Sequence, residues 1–383
     1  MSEQTRTAPL PKPRKRQRFE EESFYIASQW QLMWRKFKSH KLAMIGSIIV
    51  IFFIITGVLF CEFFATQDIY KRNSDFILCP PQKIHFRDAD GKFHLRPFVY
   101  NLVSARNPNT FALDFKEDTS VRYPIHLFVG GDEYELWGLL KGKRHMIGIK
   151  DRDGIFFIFG TDNLGRDLFS RAFYAARISL SIGFVGVIIS FVLGCVLGGI
   201  SGYFGGKADM LIQRIIEFLS SIPQIPLWMG LAAAIPRSWP ALRVYFMIIV
   251  ILSTIGWTGL ARVVRGYIIS LRDSDLVIAA TVSGATMPQI LVRHLLPAFL
   301  SYLIVHLTLA IPSMILAETS LSFLGLGLRP PVVSWGVLLN AAQNVKTVYM
   351  NLWLMIPAFF VIITVLAFNF IGDGLRDAAD PYK

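Results

Sequence analysis

Six stretches of the chain contain no Asp, Glu, Lys or Arg: 42–61, 178–206, 218–236, 244–261, 295–317 and 347–372. A bilayer core about 30 Å thick is crossed by about 20 residues of helix rising 1.5 Å per residue. Each run is 18 residues or longer, so each is long enough to cross. For all six to be buried helices of a water-soluble protein, all six would have to lack the polar face that such helices carry. The pattern therefore predicts six transmembrane helices. The first is not a cleavable signal peptide, because it begins after 41 residues and ends at Phe60-Cys61-Glu62-Phe63 rather than at a small-residue cleavage site.

Between the first and second runs the pattern changes. Residues 67–160 are rich in charge, with β-like stretches at 125–129 and 155–158 and turn signals at Gly130-Gly131 and Asp153-Gly154. They predict an extracytoplasmic insert, α+β or mostly β, after the first helix of an otherwise all-α polytopic membrane protein. Ahead of the first run, Trp30, Met33, Trp34, Phe37 and Lys41 recur at helical spacing, with Arg35, Lys36 and Lys38 on the other sides. Residues 23–41 thus read as an amphipathic helix, lying either in the membrane interface or against a protein neighbour. Residues 1–22, Pro- and Arg-rich without apolar periodicity, are expected to be disordered and to suit anionic headgroups.

Composition adds weight to the membrane reading. Of 383 residues, 53% are hydrophobic and only 17% charged, against about 25% in soluble domains. A net charge of +12 would suggest nucleic acid if it formed a stripe on a soluble domain. Residues 1–41 alone contribute +6, ten basic residues against Glu3, Glu20, Glu21 and Glu22. The excess is a topology signal instead, and the expected surroundings are a lipid bilayer, with no nucleic acid. Basic flanks stay cytoplasmic, which places the N-terminus inside and, with six spans, the C-terminus as well. Segments 203–217 and 262–294 are then cytoplasmic, and 236–243 and 318–346 lie outside. The loop 67–175 also lies outside despite its 16 Lys and Arg, since domain-sized loops cross largely regardless of charge. The expected division is a cytoplasmic tail and amphipathic helix (1–41), a first transmembrane helix (42–66), a periplasmic insert (67–160) and a core of five helices (161–383) with a cytoplasmic loop at 262–297.

Catalytic chemistry is not in evidence. Cys61, Cys79 and Cys195 lie far apart without C-x-x-C, and no disulfide between Cys61 and Cys79 is expected. His85, His94, His126 and His145 are not spaced as ligands and read as surface histidines, so no metal or other cofactor is expected. Gly205-Gly206-Lys207 is followed by Ala208 and has Ser201 at the first glycine position, so it is not a phosphate-binding loop. Neither G-x-S-x-G nor H-E-x-x-H occurs, and the chain is expected not to be an enzyme. Glu62, Glu217 and Glu318 stand at run edges, where side chains snorkel. His306 is the ionisable residue inside a run; without paired carboxylates it argues only weakly for an ion-coupled carrier. Gly194, Gly198 and Gly199 read as helix-packing residues.

The segment 275–297 is the most informative. Ala279, Ala280 and Gly284 put small residues on one side of a helix and its turn. Pro288 can begin a second short helix, and Pro297 loses no N–H in the first turn of the next span. The expected result is helix, glycine turn, helix, lying along the membrane surface. The pattern of two Ala, three residues, Gly, and Leu296-Pro297 twelve residues beyond Gly284 resembles the EAA loop of binding-protein-dependent ABC importer permeases. Ile278 stands where that pattern has Glu, and His294 where it often has Ile; Arg293-His294 before Leu-Pro is similar to the C-type subunit of dipeptide and oligopeptide importers. Trp34 to Ala43, Thr161-Asp162-Asn163-Leu164-Gly165-Arg166-Asp167, Gly202 to Gly206, Ser320 to Gly327, Trp335-Gly336 and Phe368 to Pro381 also resemble that subfamily, in family order. The long insert resembles the microcin C, or Yej-type, peptide permease.

The resemblance implies a MetI-like permease fold of six helices in the bacterial inner membrane, forming half of a heterodimeric pathway for peptides. Nickel, opines, glutathione or a peptide antibiotic such as microcin C are the alternative solutes. The implied partners are a B-type permease subunit, ABC ATPase subunits that hydrolyse the ATP, and a periplasmic peptide-binding protein. Coupling to the ATPase is implied for Asp275, Ala279, Ala280, Gly284, His294, Leu296 and Pro297. The periplasmic motif comprises Thr161, Asp162, Gly165, Arg166 and Asp167, read either as a site that meets the binding protein or as a local ion-pair turn.

Overall fold

A computed structural model describes residues 29–106, 113–151 and 154–379. The basic cluster in 1–22, the Asp153 turn signal and Asp380-Pro381 lie outside the described residues. The chain opens with α1 (Gln29–Ser39) and α2 (Lys41–Phe53), separated at His40, whose ring accepts from the Ala43 N–H and caps α2. A π-helical turn, Ile54–Leu59, completes the first span, and the short α3 (Cys61–Phe64) follows. After the insert come α4 (Leu168–Phe204), α5 (Gly206–Ser221), α6 (Gln224–Ala233) and α7 (Ala241–Leu271). Then follow α8 (Asp275–Val282), α9 (Met287–Ile290), α10 (Leu296–Ala298) and α11 (Leu300–Phe323). The chain closes with α12 (Trp335–Asn340), α13 (Val345–Met350) and α14 (Ile356–Ala379).

Among the described residues five helical stretches are long and apolar enough to cross a membrane. The run 218–236 is not one of them: α5 and α6 meet there at a bend of 88°. The cause is Pro223. A residue before proline is driven out of the helical region, and Ile222 is extended at φ −96°, ψ 131°. With only ten residues, α6 is about 15 Å long. The absence of charge in this run did not report the break in its continuity.

Taken together as one span, the bent pair brings the passages among the described residues to six. At one end Met33 meets Ser301, the Tyr267 and Phe299 rings stack at 4.7 Å, and Arg265 binds Asp209. At the other end Thr66 meets Ser170, Tyr245 meets Ser181, and Phe360 packs on Phe53 and Phe173. The bent pair α5–α6 starts at the first end and delivers the chain to the second, where α7 begins. The start of α2 and the end of α14 share the first end, where Ala43, Phe37 and Ala378 form one apolar cluster. That cluster buries Phe37 and part of Met33, while Trp30 and Trp34 of the same helix stay exposed.

Close packing comes from small residues. On α4, Gly194, Gly198 and Gly202 form a stripe against α7; a Cβ at Gly198 would lie 2.5 Å from the Ala261 carbonyl oxygen, closer than atoms can approach. Gly199 points elsewhere, toward Leu291 of the segment after α9. The helices also run beyond the charge-free runs. Helix α4 begins at Leu168 and carries Arg171 and Arg177, because both cations find partners: Arg171 donates to the Ile69 carbonyl, and Arg177 pairs with Glu62.

The insert is an antiparallel sheet in the order β1 (His85–Arg87), β2 (Phe93–Arg106), β3 (Leu113–Leu136), β4 (Leu140–Ile149). Gly130-Gly131 does not end a strand; it lies within β3, where the register against β4 shifts. Nor is 155–158 a strand. It is irregular chain that buries Phe156 and Phe157 under the sheet, with the Phe157 N–H bonded to the Gln82 side chain and its carbonyl to the Gln82 N–H. His145 is not a surface histidine: it is buried, its two ring nitrogens within 2.6 Å of the Ala65 carbonyl and 3.0 Å of the Asp132 carbonyl.

Candidate functional site

The segment 275–297 folds against the first end of the bundle. Ser274 precedes α8, and Asp275 stands in its first turn, where a carboxylate suits the exposed N–H groups. The helix stops at Gly284, whose φ of +82° is open to glycine and strained for other residues. The Ala285 N–H reaches the Ala280 carbonyl and the Gly284 N–H the Thr281 carbonyl, the bond pair of a Schellman ending. Thr286 then opens α9, its N–H taken by the Gln289 side chain. The second helix starts at Met287, one residue ahead of Pro288, and Pro297 lies in the separate turn α10, ahead of a break at Phe299 where φ is −125°. That corrects the expectation that Pro297 opens the next span.

The faces of this segment divide sharply. Val277, Ile290, Leu291 and Leu295 are buried in a cluster with Cys195 of α4, Leu260, Val264 and Ile268 of α7, and Leu303 of α11. Ala280 and Leu296 pack on its edge. Leu276, Ile278, Ala279 and Val282 point away and are exposed, Val282 to 84%. Asp275, Gly284 and Pro297 are exposed too, and His294 is half-buried. Of the seven positions read as coupling residues, Ala280 and Leu296 therefore face the bundle while Ala279 and Gly284 face outward. Exposed Leu276 and Val282 were not singled out from the sequence, and Ile278 only as standing in place of Glu, although their apolar character on a loop was visible. The neighbouring α5 is tied down by Arg265, which donates two hydrogen bonds of 2.5 Å to Asp209 while Ser201 donates a third.

At the opposite end, Thr161, Asp162, Gly165 and Asp167 of the 161–167 motif are buried. Asp162 accepts from the Leu164 and Arg166 N–H groups and from the Arg166 guanidinium at 2.8 Å, closing a turn around Gly165. Thr161 accepts from the Cys79 N–H, and Asp167 caps α4 by accepting from the Ser170 N–H, the Ser170 hydroxyl and the Thr66 hydroxyl. Burial pushes the Asp167 carboxyl above the usual carboxylate range, against those hydrogen bonds. Thr161, Asp162 and Asp167 are all nearly inaccessible and join the base of the insert to α4, while Asn163 and Leu164 at the head of the turn are exposed.

Two glutamates expected to snorkel are buried instead. Glu62 pairs with both terminal nitrogens of Arg177 at 2.6 and 2.8 Å. Glu318 is fully buried and accepts from Ser322, Ser334 and Ser179. Those serines in turn accept from the Leu328, Val337 and Trp335 N–H groups, so Glu318 gathers the α11–α12 connection onto α4. Glu217 stays exposed beside Arg214. Glu318→Leu is expected to cost about 1–3 kcal/mol for each stranded hydroxyl, with Glu318→Gln milder because it keeps an acceptor. Thermal unfolding of the purified chain in detergent checks this, and a Leu variant as stable as wild type refutes it. Among the described residues no cluster of His, Cys, Asp and Glu is arranged to hold a metal, and the three cysteines are free.

The family model described as the binding-protein-dependent transport system inner membrane component matches residues 192–382. That of the N-terminal TM domain of oligopeptide transport permease C matches residues 28–81. The β-sheet lies between the two matches. The oligopeptide transport system permease protein OppC of Haemophilus influenzae is 44% identical over 329 residues, covering 83% of this chain and 98% of that protein. The dipeptide transport system permease protein DppC of Bacillus subtilis is 43% identical over 225 residues, 58% of this chain and 68% of that protein. Among solved structures, the inward-facing MetNI methionine ABC transporter is similar over 52% of this chain and 93% of that chain, at 22% identity and a TM-score of 0.39. The chain is thus a multi-pass helical membrane protein of the binding-protein-dependent transport system inner membrane component family, carrying the N-terminal domain of the oligopeptide transport permease C type.

Proposed function

We propose that the chain is a permease subunit of an ATP-driven peptide importer, supplying one half of the transmembrane pathway. The names of its relatives favour peptides over the other solutes considered above. The observation that carries the coupling role is α8: a short helix with an apolar outward face, held to the bundle by Val277 on its inward face. Such a face exposed to water at the end of a membrane bundle calls for a protein partner, here the cytoplasmic ATPase. The basic segment 1–41 supports the reading in which that end is cytoplasmic and the β-sheet periplasmic. ATPase closure on ATP would draw α8 inward, and the cluster joining it to α4, α7 and α11 would pass the displacement to the spans. A B-type permease subunit completes the pathway, and a periplasmic binding protein delivers peptide.

Purification of the tagged chain in mild detergent is expected to bring down a second permease, ATPase chains and a peptide-binding protein. The reassembled complex in vesicles is expected to accumulate peptide only with internal-face ATP. Uptake that follows a proton gradient without any ATPase would overturn the proposal in favour of an ion-coupled carrier.

A further inference from the structure

The hairpin between β3 and β4 ends in an apolar tip. Leu139 is 85% exposed and Leu140 67%. Trp137 and Gly138 both take positive φ, +54° and +69°, and the Leu139 N–H bonds the Leu136 carbonyl at 3.0 Å, the geometry of a type I′ turn. A tryptophan is disfavoured in that backbone region, and two contacts hold it there. Its indole N–H donates to the Leu59 carbonyl at 3.1 Å, and the Arg177 guanidinium lies 4.4 Å from the ring centroid. Leu59 is the last residue of the first span, so the tip is fixed at the level where that helix leaves its apolar zone.

The outward stripe of the first span, Leu42, Ile45, Ile48, Ile55 and Leu59, is exposed along its length. It ends at exposed Leu59 and Phe60, beside which Trp137 docks. Above the tip the hairpin turns abruptly polar, with the cross-strand pairs Glu135–Lys141 and Glu133–Lys143. An apolar tip, a tryptophan with its N–H satisfied and a charged rung above reproduce the order of hydrocarbon, interface and water. The turn's own hydrogen bond lowers the cost of bringing its backbone near lipid. We propose that the tip is a membrane anchor: Leu139 and Leu140 enter the lipid at the edge of the hydrocarbon, continuing the lipid-facing stripe of the first span. The anchor fixes how the sheet stands on the membrane surface.

The test uses the full chain in lipid nanodiscs, with Leu139→Cys or, as a reference, Val103→Cys labelled with bimane. Native Cys61, Cys79 and Cys195 are buried, and Val103 lies in the half of the sheet where β2 pairs with the start of β3. At position 139, phospholipids brominated near the headgroup are expected to quench emission at least twofold and aqueous iodide hardly at all, with the reverse at 103. Equal iodide quenching at both positions would place the tip in water. Protection of 139 from both quenchers would mean that protein covers it. Either result overturns the proposal, and neither bears on ATP-driven uptake.

Discussion

Arg177→Leu is expected to destabilise the protein by about 3–5 kcal/mol, the cost of leaving one member of a buried ion pair without the other. Glu62 is nearly inaccessible, and Arg177 supplies two hydrogen bonds to it while its Nε donates to the Val58 carbonyl at 3.0 Å. The guanidinium also lies against the Trp137 and Tyr174 rings. One side chain therefore ties α4 to the end of the first span and to the β-hairpin. The loss is to be read as an earlier thermal midpoint in detergent. The double variant Glu62→Gln with Arg177→Leu is expected to regain part of it, because the stranded carboxylate is gone. A single variant with an unchanged midpoint would show that water already carries the charge of Glu62.

The second large effect falls on transport rather than stability. Leu276→Asp together with Ile278→Asp puts two charges on the outward face of α8, where both side chains are exposed. Unfolding is expected to be unchanged to within about 0.5 kcal/mol, as for surface substitutions generally. ATP-driven uptake is expected to fall more than roughly tenfold, the scale at which central interface residues act. Val277→Ala, one residue from each, is the contrast: it is buried, so it is expected to lower stability. Uptake at the wild-type rate in the double-Asp variant would remove α8 from the coupling path. Gly284→Arg is a less clean probe, because its φ of +82° adds backbone strain to added bulk.

Much of the architecture was legible because membrane insertion is a local property: a charge-free run of sufficient length crosses, whatever lies elsewhere in the chain. The limits of that reasoning show at two kinds of residue. Pro223 breaks the run 218–236 without adding any charge, so composition saw a span where backbone geometry made a bend. Arg171 and Arg177 add charge without ending a helix, because their partners come from distant parts of the chain. The spacing of Ala279, Ala280 and Gly284 marked the loop at 275–297, since a glycine at a left-handed helix end is a local requirement. Which of those residues face outward was not legible, because it depends on the side toward which Val277, Ile290 and Leu291 find α4 and α7.

From sequence came the membrane setting, the approximate course of five spans and the loop that carries the small-residue pattern, while the span ends differ from the charge-free runs by up to ten residues, as at Leu168 and Leu271. Tertiary structure alone decided the fate of the charged and polar groups. Glu62 meets Arg177 across 115 residues, and Glu318 meets Ser179 across 139. Glu62 has no basic partner nearby in the chain, and Glu318 has only Ser322, four residues on, so snorkelling at a run edge was the reasonable local expectation. Burial of a polar side chain is affordable only when the fold brings it a hydrogen-bonding partner, and that is settled by packing rather than by neighbours in sequence.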